Sequence, residues 1–292
     1  MSVDAHHHLW DPLTREHPWL AAPVLDPLRR AFTTDELRPQ AHTAGVHATV
    51  VVQTVTEEWE TPELLRLADR DPLVAGVVGW ADLTDPALAD RLAELAAGPG
   101  GERLVGIRHQ VQLEPDPAWL VRPEVLRGLA AVAAAGLAYD LVITPGRLPA
   151  ATEAAARLPQ LTFVLDHLGK PPVAAGTLEP WAAALREFAR LPNTSAKLSG
   201  LVTEADWTRW TLDDLRPYTE TALDAFGPDH LMFGSDWPVC TLAAGYAEVV
   251  DAAEQLTERL TVAERTEVFE GTATRVYGLS PHHSDTDLGG SA

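Results

Sequence analysis

The chain has 292 residues, of which 46% are hydrophobic and 22% charged, a composition typical of a globular protein rather than a disordered or collagen-like chain. Its 42 acidic and 22 basic residues give a formal net charge of −20, which disfavours nucleic acid and anionic lipid as partners. No apolar run reaches the roughly 20 residues that span a membrane. The N-terminus lacks the features of a signal peptide and Cys240 is the single cysteine, so we expect a cytoplasmic protein.

Short apolar segments alternate along the chain with longer segments rich in Ala, Leu, Glu and Arg. The short segments are continuously apolar, as in strands covered on both faces. Strands are predicted over residues 3–8, 48–53, 74–80, 104–110, 137–143, 161–167, 194–198 and 230–235. Helices are predicted over residues 33–44, 87–97, 123–135, 149–158, 178–191, 212–226 and 243–260. This alternation predicts an α/β fold, a (β/α)₈ TIM-like barrel. A doubly wound open sheet is the alternative, but no G-x-G-x-x-G motif follows the first strand.

Two segments depart from this alternation. Residues 10–27 are rich in Pro and Trp and are predicted to form a structured loop over one end of the barrel. The sequence does not decide whether this loop acts as a lid. Residues 280–292 are polar and Gly-rich, which predicts a disordered tail. The sequence therefore predicts one barrel domain over residues 1–279, and it is compatible with a monomer or a homo-oligomer.

Polar residues cluster at the predicted C-terminal ends of seven of the eight strands, the end where such barrels carry their active sites. The strand ends carry His6 to His8, Gln53, Trp80 with Asp82, Arg108 to Gln110, Asp166 with His167, Lys197 with Ser199, and Ser235 to Trp237. The fifth strand, which ends near residues 143–145, supplies no obvious acid, base or metal ligand. We expect this polar ring to be the active site.

Four residues of the ring are the candidate catalytic groups. His6 and His8 are two residues apart, so strand alternation points both into the barrel mouth and His7 outward; a surface cluster or a tag remnant is the alternative. His167 is predicted to act as an acid, a base or an electrophile, or else to be a hydrogen-bonded core histidine. Asp236 is predicted to be a general base, and its alternative role is a helix cap.

Other ring residues are candidates for substrate binding. Arg108 and Lys197 can hold a substrate carboxylate or hydroxyl, or they can pair with an acidic residue of the barrel: Asp82, Asp140 or Asp236. Four tryptophans can form an apolar wall against a small ring, or can be core residues, which is the commoner fate of tryptophan. These are Trp10, Trp19, Trp80 and Trp237.

The set of motifs resembles the amidohydrolase superfamily, and within it the amidohydrolase-2 lactone hydrolases of the L-fuconolactonase, L-rhamnonolactonase and 2-pyrone-4,6-dicarboxylate lactonase type. The matching segments are DAHHHLWDP at residues 4–12, PWL at 18–20, GIRH at 106–109, LDHLGKP at 165–171, KLSG at 197–200 and FGSDWP at 233–238. The resemblance implies a distorted (β/α)₈ barrel that hydrolyses a cyclic ester. It assigns His6 and His8 to the first-strand pair, His167 to the active-site histidine and Asp236 to the last-strand aspartate.

The sequence departs from the metal-rich members of that superfamily. Its fourth strand carries Arg108 and His109 where those members have a carboxylated Lys, and its fifth strand has no His. We therefore expect that no cofactor is required, with Asp236 as general base and three histidines polarising the carbonyl: His6, His8 and His167. The alternative is one Zn²⁺ or Mn²⁺ held by His6, His8 and Asp236.

We expect the partner to be a small-molecule lactone, that of a sugar acid. A neutral sugar lactone needs hydroxyl partners such as Gln53, Asp82, Arg108 and His109. A carboxylated lactone of the pyrone or muconolactone type would instead use Arg108 and Lys197 as fixed cations. A single-zinc decarboxylase of an unsaturated acid is the alternative enzyme class, and it predicts a histidine on the fifth strand.

Overall fold

The computed structural model describes residues 2–279, which form one sheet of eight parallel strands, each hydrogen-bonded to the next in sequence order. The strands are β1 (Ser2–His7), β2 (Val46–Val52), β3 (Val74–Gly79), β4 (Leu104–His109), β5 (Ala138–Leu141), β6 (Phe163–Leu165), β7 (Thr194–Leu198) and β8 (Leu231–Phe233). All eight strands were predicted, and the order confirms the (β/α)₈ barrel rather than a doubly wound sheet. The predicted tail at 280–292 lies outside the described residues.

Helices cover the outside of the barrel. They are α1 (Thr34–Thr43), α2 (Glu60–Arg70), α3 (Leu88–Ala97), α4 (Pro123–Ala134), α5 (Leu148–Arg157), α6 (Trp181–Ala189), α7 (Leu201–Glu204), α8 (Leu212–Phe226), α9 (Tyr246–Leu256), α10 (Val262–Thr266) and α11 (Thr272–Tyr277). The seven predicted helices correspond to α1, α3 to α6, α8 and α9. The sequence pattern did not identify α2, which has Pro62 in its first turn, a position that a helix tolerates. None of the helices within residues 2–279 combines the length and apolarity needed to cross a membrane.

The barrel closes at a seam between its first and last strands. Two backbone hydrogen bonds join the segments there: the His8 amide donates to the Trp237 carbonyl at 2.7 Å, and the Asp236 amide donates to the His6 carbonyl at 2.8 Å. The pairing of β1 with β2 shifts register between Asp4 and His7, and such an irregularity re-aims the side chains that follow it. The seam therefore lies beside the polar end of β1.

Asp4 secures the same seam. Its carboxylate accepts hydrogen bonds from the Ser235 amide at 2.8 Å and the Ser235 hydroxyl at 2.6 Å. The Tyr246 hydroxyl of α9 donates to it at 3.1 Å. A buried carboxylate with several donors fixes the local backbone, so the segment before Asp236 is held in one position.

The opposite end of the barrel is apolar. Small and β-branched residues near the strand starts, such as Val3 and Val105, pack with Tyr277 and Leu279 at the end of the described chain. Helix α11 therefore covers the N-terminal ends of the strands. The cluster of polar strand ends is left at the other mouth, as the sequence predicted.

The predicted loop at residues 10–27 is structured. It contains two short 3₁₀ helices, Pro18–Ala21 and Pro23–Leu28. The Trp10 indole donates to the Leu28 carbonyl at 3.0 Å, and Trp10 pairs with Phe32 through two backbone hydrogen bonds. These contacts fix both ends of the loop against the barrel.

Candidate active site

Three imidazoles and one carboxylate converge at the mouth of the barrel. His6 Nε2 and His8 Nε2 are 3.2 Å apart. Asp236 Oδ1 lies 3.5 Å from His8 Nε2, 3.8 Å from His6 Nε2 and 3.9 Å from His167 Nε2. All four residues are buried. The structure thus brings together the four predicted catalytic residues, whereas His7 points away and contacts Thr49 Oγ1 at 2.9 Å.

The backbone that carries His167 and Asp236 is strained. Both residues adopt a positive φ, 54° and 57° respectively, a region that non-glycine L-residues rarely occupy. Close packing surrounds the His167 side chain, because a Cβ at Gly200 would lie 2.6 Å from His167 Nδ1. Strain of this kind persists where the surrounding structure over-determines it, commonly at functional sites.

The outer nitrogen of each imidazole has a fixed partner. His8 Nδ1 lies 2.7 Å from the Val52 carbonyl oxygen, His6 Nδ1 lies 3.2 Å from Asp166 Oδ1, and His167 Nδ1 lies 2.8 Å from Ser199 Oγ. A carbonyl oxygen accepts only, so Nδ1 carries the hydrogen in neutral His8. His6 Nδ1 lies beside both the Asp166 carboxylate and, at 3.1 Å, the Lys197 ammonium group, which donates. The Nε2 lone pair of His8 then faces His6 and the Asp236 carboxylate.

Burial and neighbouring charges set the protonation states. Burial lowers the pKa of His167 to about 4 and the pKa of His6 well below its usual value. Burial alone would raise the pKa of Asp236, but His167, His8 and His6 hold it below its usual range. His6 and His167 are therefore neutral, and Asp236 is ionised, at neutral pH.

A buried charge network lies behind the imidazoles. Asp166 Oδ2 accepts from Arg108 Nη1 at 2.9 Å, and its Oδ1 lies 3.1 Å from Lys197 Nζ. Lys197 also donates to Asp140 Oδ2 at 2.5 Å and contacts His6 Nδ1 at 3.1 Å. The Tyr277 hydroxyl of α11 donates to Asp140 at 2.9 Å. Two cations and two carboxylates thus balance one another, which is the condition for burying charge.

Lys197 and Gln53 both lie within this network. Lys197 is fully buried and pairs with Asp140, the structural alternative that the sequence left open. Gln53 is also fully buried, and its side-chain oxygen accepts from Arg108 Nε at 2.9 Å. Neither residue lines the open cavity. Gln53 therefore positions Arg108, and Lys197 contacts Asp140 and Asp166 rather than the cavity.

The open cavity at the site has a volume of about 180 Å³. Arg108 is the one predicted substrate-binding residue of the ring that lines it, together with three of the four catalytic candidates: His8, His167 and Asp236. The remaining lining residues are Trp19, Thr54, Gln110, Gln112, Leu113, Val142, Lys170 and Val239. The wall is thus part polar and part apolar, with Trp19 as its tryptophan.

His109, Trp80 and Asp82 lie away from the cavity. His109 follows Arg108 on β4 and so points to the other face of the strand. There it accepts from the Trp80 indole at 3.0 Å, contacts Glu114 Oε1 at 2.8 Å and stacks on Trp119. Asp82 is exposed and accepts from Thr84. The prediction that these residues contact substrate assumed that all residues at a strand end face the cavity, whereas consecutive residues of a strand point to opposite faces.

Trp10 and Trp237 are core residues rather than cavity walls. Trp237 is 1% exposed and packs edge-on against Phe32, with ring centroids 5.4 Å apart. Trp10 packs edge-on against Phe32 and Trp19. Each belongs to the layer that supports the site from outside.

Sequence reasoning did not assign roles to Asp166, Tyr277 or Lys170. Asp166 precedes His167 in the same motif, so its position at a strand end was the available signal. Tyr277 reaches the site region from the last helix, and no local pattern marks it. Lys170 belongs to the LDHLGKP motif, where only His167 was given a role.

Comparison with known proteins identifies the family. The family model Amidohydro_2, described as Amidohydrolase, matches residues 3–279. The chain belongs to the amidohydrolase family. An L-fucono-1,5-lactonase of Burkholderia multivorans is 42% identical to this amidohydrolase over 299 residues, with 99% of each chain covered. An L-fucono-1,5-lactonase of Burkholderia ambifaria is 37% identical over 287 residues, with 97% of each chain covered. The protein is therefore an enzyme, a hydrolase of this family.

A similar solved structure bears on the cofactor. A crystal structure of an amidohydrolase from Burkholderia multivorans with bound Zn is 42% identical, covers 96% of this chain and 100% of its own, and has a TM-score of 0.91. In the amidohydrolase described here, ligand atoms of His6, His167 and Asp236 all lie within 4.8 Å of one another. The prediction that no cofactor is required is therefore wrong. It gave too much weight to the missing fifth-strand histidine.

The donor atoms of this chain fit a zinc ion. Zinc binds His nitrogen at about 2.0–2.1 Å in tetrahedral sites, which places neighbouring donors about 3.3 Å apart. His6 Nε2 and His8 Nε2 are 3.2 Å apart, with Asp236 Oδ1 at 3.5 Å from His8. Because the His8 Nε2 lone pair and the Asp236 carboxylate face each other at this distance, a cation between them removes an electrostatic repulsion.

Proposed function

We propose that this amidohydrolase hydrolyses L-fucono-1,5-lactone, or the lactone of a closely related sugar acid, to the open hydroxy acid. The observation that carries the proposal is the convergence of His6, His8, His167 and Asp236 on one point beside a cavity. The end-to-end similarity to two L-fucono-1,5-lactonases supports the choice of reaction and substrate.

The charges of the cavity wall favour a neutral lactone. Arg108 pairs with Asp166, and Lys170 pairs with Glu204 at 3.3 Å. Among the lining residues of the described chain, neither cation is left without a carboxylate partner. A carboxylated lactone would need an uncompensated cation, so the wall argues against the pyrone and muconolactone alternatives.

The uncharged part of the wall suits a sugar ring. Gln112 and Gln110 present amide groups, which can donate to and accept from hydroxyls. Leu113, Val142 and Val239 form an apolar side. A 6-deoxy sugar lactone has both hydroxyls and a methyl group, so it matches a wall of mixed character.

The residues act on the ester as follows. When bound among His6, His8, His167 and Asp236, a zinc ion would polarise the lactone carbonyl and lower the pKa of bound water. The ionised Asp236 lines the cavity and accepts a proton from the attacking water. That proton passes to the ring oxygen as its bond to the carbonyl carbon breaks, so that water is added and one carboxyl and one hydroxyl group result.

The outer partners maintain the geometry of the site. Asp166, the Val52 carbonyl and Ser199 hold the Nδ1 atoms of the three histidines and so fix the ring orientations. Such partners tune ligand basicity as well as position. The decarboxylase alternative has less support, because β5 and the residues after it, Val142 to Thr144, include no histidine.

The test is a pH-indicator assay of purified protein on L-fucono-1,5-lactone. We expect acid release that falls after chelation and returns with added Zn²⁺. We expect Asp236→Asn to lower kcat by about 10²- to 10⁴-fold. Asp82→Asn is the matched control, because Asp82 is exposed and away from the cavity, and it should retain the wild-type rate. A folded, zinc-loaded protein inactive on all sugar lactones, or a fully active Asp236→Asn variant, would refute the proposal.

A further inference from the structure

Lys170 lies at the edge of the cavity but has no part in the chemistry described above. It lines the cavity with His167 and Asp236. Its Nζ atom is 3.3 Å from Glu204 Oε1, and each of the two side chains is 26% exposed. An ammonium group has three hydrogens to donate, and Glu204 is its one hydrogen-bond partner in the described chain. Two hydrogens thus remain for a molecule in the cavity.

The backbone at Lys170 has a strained conformation that directs the Lys170 side chain to the cavity. Four consecutive residues have positive φ: His167 at 54°, Leu168 at 51°, Gly169 at 71° and Lys170 at 56°. Glycine adopts this region freely, whereas a lysine does so at a cost. The turn is fixed by the Trp181 indole, which donates to the Leu168 carbonyl at 2.7 Å. The result is that His167 and Lys170 reach the same cavity from one short turn.

The composition singles out the same residue. Lys170 and Lys197 are the only lysines among the 22 lysines and arginines of the chain. Lys197 is fully buried in the charge network behind the histidines. In the described chain, the ion pairs with a mostly exposed cation use arginine, so the flexible ammonium group at the cavity edge is a distinct chemical choice. Lysine offers a small, mobile donor where the planar guanidinium of arginine would fill more of the cavity.

We propose that Lys170 is a substrate-binding residue that donates a hydrogen bond to a ring hydroxyl of the lactone. Glu204 neutralises its charge and so favours a hydroxyl over a carboxylate at this position. This inference rests on the proposed lactone hydrolysis and adds a determinant of substrate specificity to it. It places Lys170 in binding rather than in proton transfer.

The kinetic test uses Lys170→Met, which removes the donor and keeps the side-chain length. A hydrogen bond to a charged group contributes binding free energy that corresponds to about 10- to 100-fold in affinity. We therefore expect kcat/KM for the parent lactone to fall by about this factor, mainly through a higher KM. On the one monodeoxy lactone that lacks the contacted hydroxyl, Lys170→Met and wild type should agree within about 2-fold. Arg259→Met, which breaks an exposed ion pair with Glu220, is the matched control and should leave KM unchanged.

A second variant separates binding from folding. Lys170→Gly removes the same donor and relieves the positive φ. We expect its midpoint of urea unfolding to be no lower than that of Lys170→Met, while its KM for the parent lactone rises as far. A residue that only supported the fold would not give this combination.

Chemical labelling gives a readout that does not depend on activity. Acetylation with an amine-directed reagent, followed by peptide mapping, should modify Lys170 and spare the buried Lys197. The neutral 1,5-lactam of the same sugar acid, which is not consumed, should slow modification of Lys170 by about 5-fold or more at saturation.

The outcomes are distinguishable from failure of the proposed function. A wild-type enzyme that does not hydrolyse the lactone refutes the proposed function. An active wild-type enzyme whose Lys170→Met variant keeps its KM, loses kcat alone, or loses activity equally on every deoxy lactone overturns the assignment of Lys170. Unchanged labelling in the presence of bound lactam overturns it as well.

Discussion

Asp166 is the position where the buried charge network can be tested most directly. Its carboxylate lies 2.9 Å from Arg108, 3.1 Å from Lys197 and 3.2 Å from His6 Nδ1. Asp166→Asn preserves the shape of the side chain and removes its charge. Arg108 and Lys197 would then face Asp140 as the single carboxylate, which leaves about one uncompensated positive charge in the interior.

The expected effect is large for both stability and zinc affinity. Breaking a buried ion pair by removing one partner costs about 3–5 kcal/mol, and here two pairs share the carboxylate. Loss of the carboxylate charge beside His6 Nδ1 should weaken zinc binding by about 10- to 100-fold. Glu36→Gln is the matched control, because Arg30 and Glu36 pair at 2.6 Å but are about half exposed, and such pairs contribute at most about 1 kcal/mol.

The measurements are urea unfolding and competition for zinc with a coloured chelator, each on wild type and both variants. Zinc affinity reports on His6 orientation, and unfolding of the zinc-free proteins reports on the buried charge. If Asp166→Asn matched Glu36→Gln in both measurements, the argument that Asp166 balances the interior and orients His6 would be wrong.

Two further predictions concern backbone space and buried titration. Gly200→Ala should lower the rate of lactone hydrolysis by at least about 10²-fold, because the new Cβ would lie 2.6 Å from His167 Nδ1. Gly176→Ala is the control: Gly176 has a φ of 63°, but no atom lies within 4 Å of its Cβ position, so this variant should lose stability and keep its activity. Equal activity in the two variants would contradict the prediction. Burial raises the pKa of Glu60 to about 7, so the stability from its neutral carboxyl is complete below about pH 4.5 and is lost as the pH rises through 7. Between pH 5 and 8, wild type should therefore lose about 2–3 kcal/mol more unfolding free energy than Glu60→Gln, and parallel pH curves for the two proteins would show that Glu60 ionises normally.

The sequence predicted the fold because its strands are marked by local patterns. Continuous apolar runs identified all eight strands, and the spacing of His6 and His8 predicted that both face the barrel mouth. The position of Asp236 after an apolar run placed it in the same ring. These predictions depend on periodicity and on the rule that parallel strands end at one edge, both of which can be applied without coordinates.

The remaining parts of the site depend on contacts between distant residues. Lys197 contacts His6 across 191 positions of the chain, and Tyr277 contacts Asp140 across 137. Whether a buried lysine meets substrate or an aspartate is decided by those neighbours, which no local pattern specifies. His109 shows the opposite case, since strict alternation after Arg108 would have excluded it from the cavity.

The seam between β1 and β8 has a consequence for how the enzyme inactivates. His6 and His8 come from one side of the seam and Asp236 from the other, and backbone hydrogen bonds between these same segments close the barrel there. A fluctuation that parts the two strands therefore dismantles the catalytic centre while the other seven strand pairings stay intact. The rate of amide hydrogen exchange at His8 and Asp236 should consequently rise in parallel with the loss of activity, at denaturant concentrations below those that cause global unfolding.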